Sequence, residues 1–162
     1  MLETITSIAL ILNASAINLG VGSSTLAITS FLVALNDKKI DASERRMLGV
    51  IYILLRIAMI MILLTTLFIV WQRPSLFGNQ TQFLYTLIAI LYINAFCMTK
   101  HWISMKIGPA LQAATWYTLG FIVSIHMFAL YTITISNFIV LYFIDTVIAL
   151  AVLQYFLRST QK

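Results

Sequence analysis

Five long apolar runs constrain the fold of this chain more than any other feature of its sequence. They cover residues 5–35, 47–71, 82–98, 107–131 and 137–157. A helix needs about 20 predominantly apolar residues to cross the hydrocarbon core of a bilayer. The runs therefore predict an all-α, polytopic membrane helix bundle with five transmembrane helices, built as a single integral membrane domain over residues 1–162. The first run would be about 46 Å long as a helix, so we expect one long helix rather than two spans.

The composition identifies the solvent of this domain. Hydrophobic residues make up 61% of the chain and charged residues 9%, whereas a soluble domain has roughly 25% charged residues. We therefore expect the lipid bilayer, of a cell (inner) membrane, to surround most of the protein. A basic face with interleaved aromatic residues, which would indicate nucleic-acid binding, is absent from the sequence. The single cysteine, Cys97, excludes an intramolecular disulfide bond.

The loops between the runs predict the orientation of the chain. Five spans place eight basic residues on one side of the membrane: Lys38, Lys39, Arg45, Arg46, Lys100, Lys106, Arg158 and Lys162. The other side receives Arg73. Because the loops richer in lysine and arginine stay in the cytoplasm, we expect the N-terminus outside and the C-terminus inside. In the first cytoplasmic loop, the spacing of Asp41 and Glu44 predicts a capping box at the start of the second helix.

Two charged residues lie within the apolar runs, Arg56 in the second and Asp145 in the fifth. A lone arginine at the centre of a membrane helix costs at least about 2.5 kcal/mol on insertion scales. Counting along each helix places both residues near the middle of the membrane, so we predict an ion pair between the second and fifth helices. Such a pair either fixes which helices meet or belongs to a functional site. In the alternative, Arg56 snorkels towards the cytoplasm.

The first run carries small and polar residues at its centre. They are Asn18, Gly20, Gly22, Ser23 and Ser24. Ala16, Gly20 and Ser24 are four residues apart, a spacing that lets another helix approach closely. The alternative is an unwound stretch over Gly20–Ser24 that lines a path for a substrate or ion, as in the broken helices of transporters.

Further polar and aromatic residues point to a polar core. Asn94 and Gln112 lie at similar depth in the third and fourth runs, where amides hydrogen-bond across helices. His126 lies nearer the outer surface, and we expect it to be hydrogen-bonded inside the bundle. The alternative for His126 is a haem ligand. Trp116 and Tyr117 are too deep for an interfacial aromatic belt, so they pack internally or line a cavity.

Three hypotheses for the function follow. The first is a non-enzymatic subunit of a membrane complex, or a homo-oligomer, with a buried Arg56–Asp145 pair. The second is a small transporter or channel in which this pair and Gly20–Ser24 line the path. The third is a redox protein that binds haem through His126, the one cofactor that the sequence brings into consideration. An intramembrane enzyme would need more titratable groups than these, and no metal site is predicted.

Overall fold

Five α-helices form the part of the protein that the structure describes. The computed structural model describes residues 2–36, 41–104, 107–127 and 133–159. The helices are α1 (Leu2–Asn36), α2 (Ala42–Gln72), α3 (Thr81–Thr99), α4 (Gly108–Met127) and α5 (Ile135–Ser159), with a short 3-10 helix (Gly78–Gln80) before α3. The described ranges contain no β-strand. The predicted all-α class is therefore confirmed.

Helix α2 begins before its apolar run, at the capping box that the sequence predicted. The Glu44 backbone N–H donates to Asp41 Oδ1 at 2.7 Å, and the Asp41 N–H donates to Glu44 Oε2 at 2.9 Å. These two bonds satisfy backbone donors that the first helical turn leaves free, and the prediction is confirmed. The helix ends at Gln72. The helix stops there because Pro74 disfavours a helical conformation at the preceding residue, Arg73.

Helix α1 is a single element of 35 residues that packs along α2. The expectation of one long helix in place of two spans is confirmed. Asn13 Nδ2 is 2.9 Å from the hydroxyl oxygens of both Thr65 and Thr66, which joins the two helices through buried polar groups. At the start of α1, Glu3 Oε1 lies 3.4 Å from Arg73 Nη2, just beyond the end of α2. The two helices are therefore antiparallel.

Helix α4 occupies the centre of the bundle. It packs against α1, α3 and α5. Its buried side chains are those of Ala110, Gln112, Ala113, Ala114, Thr115, Trp116, Thr118, Leu119, Ile122 and Val123. The alanines let neighbouring backbones approach closely, while the amide and the threonines bring polar atoms into the core.

Side-chain contacts show that the five helices alternate in direction. At one end of the bundle, the Glu3–Arg73 contact joins the start of α1 to the end of α2. His126, in the last turn of α4, contacts Leu76 and Phe77 in the connection between α2 and α3. Phe83 in the first turn of α3 stacks on Phe138 in the first turn of α5, with ring centroids 4.7 Å apart. This end of the bundle, called here the Glu3 end, therefore gathers the starts of α1, α3 and α5 and the ends of α2 and α4.

Four of the described helices are long and apolar enough to cross a membrane. The segments are Glu3–Val33, Ala42–Gln72, Thr81–Thr99 and Ile135–Tyr155. Helix α4 is not among them, although its 20 residues would be long enough. Its central position explains this, because Gln112, Thr115 and Thr118 pack against other helices and need not be apolar. The bundle is thus compatible with insertion into a membrane through several of its helices.

Candidate functional site

Arg56 lies on an exposed face of α2. Within the part of the chain that the structure describes, its guanidinium makes no ion pair and no hydrogen bond. The ion pair found among those residues is Arg73–Glu3, whose side chains are 49% and 89% exposed. An exposed pair of this kind contributes little to stability. The charge at Arg56 is therefore not neutralised by any side chain that the structure describes.

Asp145 lies at the contact of α5 with α4. The Thr118 hydroxyl donates to Asp145 Oδ2 at 2.6 Å. One helical turn away, the hydroxyl oxygens of Thr115 and Tyr142 are 3.3 Å apart. Asp145 is half-buried, and its Oδ2 is the oxygen that contacts α4.

The predicted ion pair between Arg56 and Asp145 does not form within one chain. The interpretation was wrong about which helices are neighbours: α5 packs mainly on α4, while α2 packs mainly on α1. Each charge therefore faces a different environment. Arg56 is on the outer surface of the bundle, and Asp145 is hydrogen-bonded to a threonine of the central helix.

The small residues of α1 form a packing face. Ala16, Gly20 and Ser24 are buried, and Gly20 lies against the ring of Trp116, whose side chain is fully buried. The Ser24 hydroxyl donates to Val21 O at 2.9 Å, so it is satisfied within the helix. This arrangement is the close approach that the four-residue spacing predicted.

The residues proposed to line a path do not share one face of α1. Ser23 is buried with the packing face, whereas Asn18 and Gly22 are exposed. The backbone is helical through Gly20–Ser24, so no unwound stretch offers free backbone groups. The unwound stretch over Gly20–Ser24 that the transporter hypothesis used is therefore not present.

Asn94 and Gln112 meet in the core, at the contact between α3 and α4. Asn94 Nδ2 donates to Gln112 Oε1 at 2.9 Å and to Gly108 O at 3.1 Å. Gln112 Nε2 contacts Met59 Sδ of α2 at 3.6 Å. Both amides are buried, and Asn94 Oδ1 has no protein partner. The cluster ties three helices together, a structural role that buried amides commonly have in membrane bundles.

His126 is engaged in a hydrogen bond to the backbone. Its Nε2 lies 2.6 Å from Leu76 O, and its ring packs at a tilt against Phe77. A carbonyl oxygen only accepts, so Nε2 carries the proton in this contact. Binding haem through Nε2 would break this bond. Among the described residues, no group of three or more His, Cys, Asp or Glu side chains is arranged to hold a metal ion.

The two deep aromatic residues of α4 have different environments. Trp116 packs internally, and no atom of the described residues pairs with its Nε1. Tyr117 is partly exposed, and its hydroxyl is 2.6 Å from that of Thr25 on α1.

Sequence reasoning missed several polar contacts between helices. Among them are the contact of Asn13 with Thr65 and Thr66 and that of Asp145 with Thr118. The adjacent threonines in the second run and an asparagine in the first were available as a signal, at matching distances from the Glu3 end.

Comparisons with protein-family models, with curated proteins and with solved structures find no match to this chain.

Proposed function

We propose that this chain is a non-enzymatic, integral membrane protein that works as a subunit, assembled with further copies of itself or with other membrane proteins. The observation that carries the proposal is the exposed, unpaired guanidinium of Arg56 on an otherwise apolar face of α2. A charge directed at lipid is costly, whereas a protein partner can neutralise it. Assembly therefore supplies what the single chain lacks.

In this proposal all five helices cross the membrane, with the Glu3 end outside. The alternating directions of the helices support it, because consecutive helices that each cross a membrane run in opposite directions. The distribution of basic residues supports the orientation, since Arg45 and Arg46 lie at the end of the bundle away from Glu3. Helix α4, shielded by its neighbours, would cross without needing a fully apolar surface.

The transporter and haem hypotheses remain as alternatives with less support. A transport path would have to use Arg56 and Asp145 separately, because their helices, α2 and α5, pack mainly on different neighbours. Haem binding would have to replace the hydrogen bond between His126 and Leu76. Each alternative predicts a result that differs from that of the assembly proposal.

The test is the mass and composition of the particle after extraction in a mild detergent or in lipid nanodiscs. We expect a complex larger than one 18.3 kDa chain. A monomer that carries out a flux in proteoliposomes, lost in Asp145→Asn, would replace this proposal with the transporter. A Soret absorbance band lost in His126→Ala would replace it with the haem protein.

A further inference from the structure

Two residues of opposite charge, each at least partly exposed, have no ionic partner among the described residues. Arg56 is exposed on α2, and Asp145 is half-buried on α5. We propose that a second copy of this chain docks the exposed face of its α5 on α2, so that Asp145 of one copy pairs with Arg56 of the other. The inference rests on the proposed function and specifies the partner and the contact.

Charge complementarity is the first argument for a second copy. Arg56 is the one charged residue of α2 between Arg46 and Arg73, and Asp145 is the one charged residue of α5 before Arg158. Each copy would supply one cation and one anion, so every contact between copies is neutral. A guanidinium and a carboxylate also form strong, charge-assisted hydrogen bonds.

The depths of the two residues are the second argument. Phe83 and Phe138 stack and so mark one level in α3 and α5. By helical rise, Asp145 lies about 10 Å from that level, and Tyr92 of α3 about 14 Å from it, both away from the Glu3 end.

The Tyr92 hydroxyl donates to Met59 O at 3.1 Å, so Met59 of α2 lies at about the same depth as Tyr92. Arg56 is one helical turn farther from the Glu3 end, at about 18 Å. The two charges therefore differ by about 8 Å in depth. The long, flexible side chain of Arg56 covers this difference when it bends back towards the Glu3 end, against the usual tilt of helical side chains towards the helix N-terminus.

The surroundings of the two charges suit a helix-to-helix contact. On α2, Tyr52 and Ile60 lie one turn to either side of Arg56 and are 40% and 54% exposed. On α5, Ile144 and Ile148 flank Asp145 and are 47% and 55% exposed. Helices α2 and α5 pack mainly on different neighbours, α1 and α4 respectively, so we place the two contacts of a copy with two different partners. The contact is then head-to-tail and produces a ring or an open chain of copies.

Charge reversal in separately tagged copies tests the pairing. Arg56→Glu and Asp145→Arg each place like charges in every contact between identical copies, so we expect neither variant alone to co-purify with a second copy of itself. Expressed together, the two variants restore opposite charges at both kinds of contact: Glu at position 56 meets Arg at position 145, and the native Arg56 meets the native Asp145. Co-purification of the two tags should then return.

The matched control is Arg73→Glu, which reverses an exposed arginine that contacts Glu3 of its own chain. This variant should co-purify with a second copy of itself as the native chain does. Loss of self-association in this control would show that any charge reversal disrupts assembly, and it would overturn the specific pairing.

Cysteine cross-linking gives a second measurement that does not require a charge change. In a Cys97→Ser background, a copy with Ile60→Cys and a differently tagged copy with Ile148→Cys should form a disulfide-linked pair in membranes. A chain with both cysteines should form a ladder of linked copies. Ile11→Cys with Ile148→Cys is the control, because Ile11 is 66% exposed but lies on α1, and it should give no ladder.

Failure of the pairing is distinguishable from failure of the proposed function. An oligomer that persists unchanged in both reversal variants would overturn the Arg56–Asp145 contact and leave assembly standing. So would cross-linking to a different membrane protein, or reversal variants that stay apart when expressed together. A native chain that is monomeric in lipid nanodiscs would overturn both proposals.

Discussion

Replacing Gly20 by alanine tests whether the close packing of Trp116 on α1 requires a residue without a side chain at position 20. A Cβ at Gly20 would overlap the ring of Trp116. The ring cannot move away freely, because its side chain is fully buried in the core. Gly22 is the matched control on the same helix, since a Cβ there would meet no atom within 4 Å.

The two substitutions separate two free-energy contributions of opposite sign. Alanine favours a helix over glycine by roughly 0.8–1 kcal/mol, and this gain applies at both positions. Overpacking a core typically costs about 1–3 kcal/mol, and this cost applies at Gly20 alone. We therefore expect Gly22→Ala to be neutral or slightly stabilising. Gly20→Ala should be less stable than Gly22→Ala by about 1–3 kcal/mol.

Equilibrium unfolding in mixed micelles, with SDS as the denaturant, measures this difference. Trp116→Phe provides a second check, because a smaller ring should accommodate the methyl group added at Gly20. The double variant should then be more stable than the sum of the single effects, with a coupling of about 0.5–3 kcal/mol. Equal stability of Gly20→Ala and Gly22→Ala, without coupling to Trp116, would refute the argument.

Three further predictions concern the other polar groups. Asn94→Leu should cost about 1–3 kcal/mol because it removes the donor to the buried Gln112 Oε1, and the double variant with Gln112→Leu should regain much of that loss in the same unfolding assay. After the copies are separated into monomers in a dissociating detergent, Arg56→Met and Asp145→Leu should have additive effects on unfolding, within about 0.5 kcal/mol, because one chain does not pair them. Strong coupling in the monomer would contradict the structure. In a Cys97→Ser background, cysteines at Lys100 and Ser75 should react with an impermeant thiol reagent from opposite sides of the membrane, and reaction of both from one side would exclude the five-span proposal.

Local features of the fold were accessible from the sequence because they depend on neighbouring residues. The capping box at Asp41 and Glu44 is set by a three-residue spacing and by backbone donors of the first turn. The all-α class follows from long apolar runs in a chain with 9% charged residues, because a helix satisfies its own backbone groups in lipid. The depth of Asn94 and Gln112 also followed from counting along each helix.

The neighbours of each helix were not accessible in this way. The prediction of an Arg56–Asp145 pair relied on the similar depth of the two residues, which an ion pair requires. It also assumed that α2 and α5 are adjacent. In the structure, α4 lies beside α5, and Thr118 takes the place predicted for Arg56. Depth is a property of one helix, whereas adjacency is a property of all five.

The sequence by itself determined the helices, their approximate ends and the small-residue face of α1 around Gly20. The tertiary structure alone decided that α4 is central, that Trp116 packs on Gly20, and that Arg56 is directed outwards. The physical reason is that lipid is as apolar as the interior of the bundle, so apolar side chains give no sign of which face is buried. Only the packing of helix against helix, through close contacts and a few polar bonds, selects one arrangement.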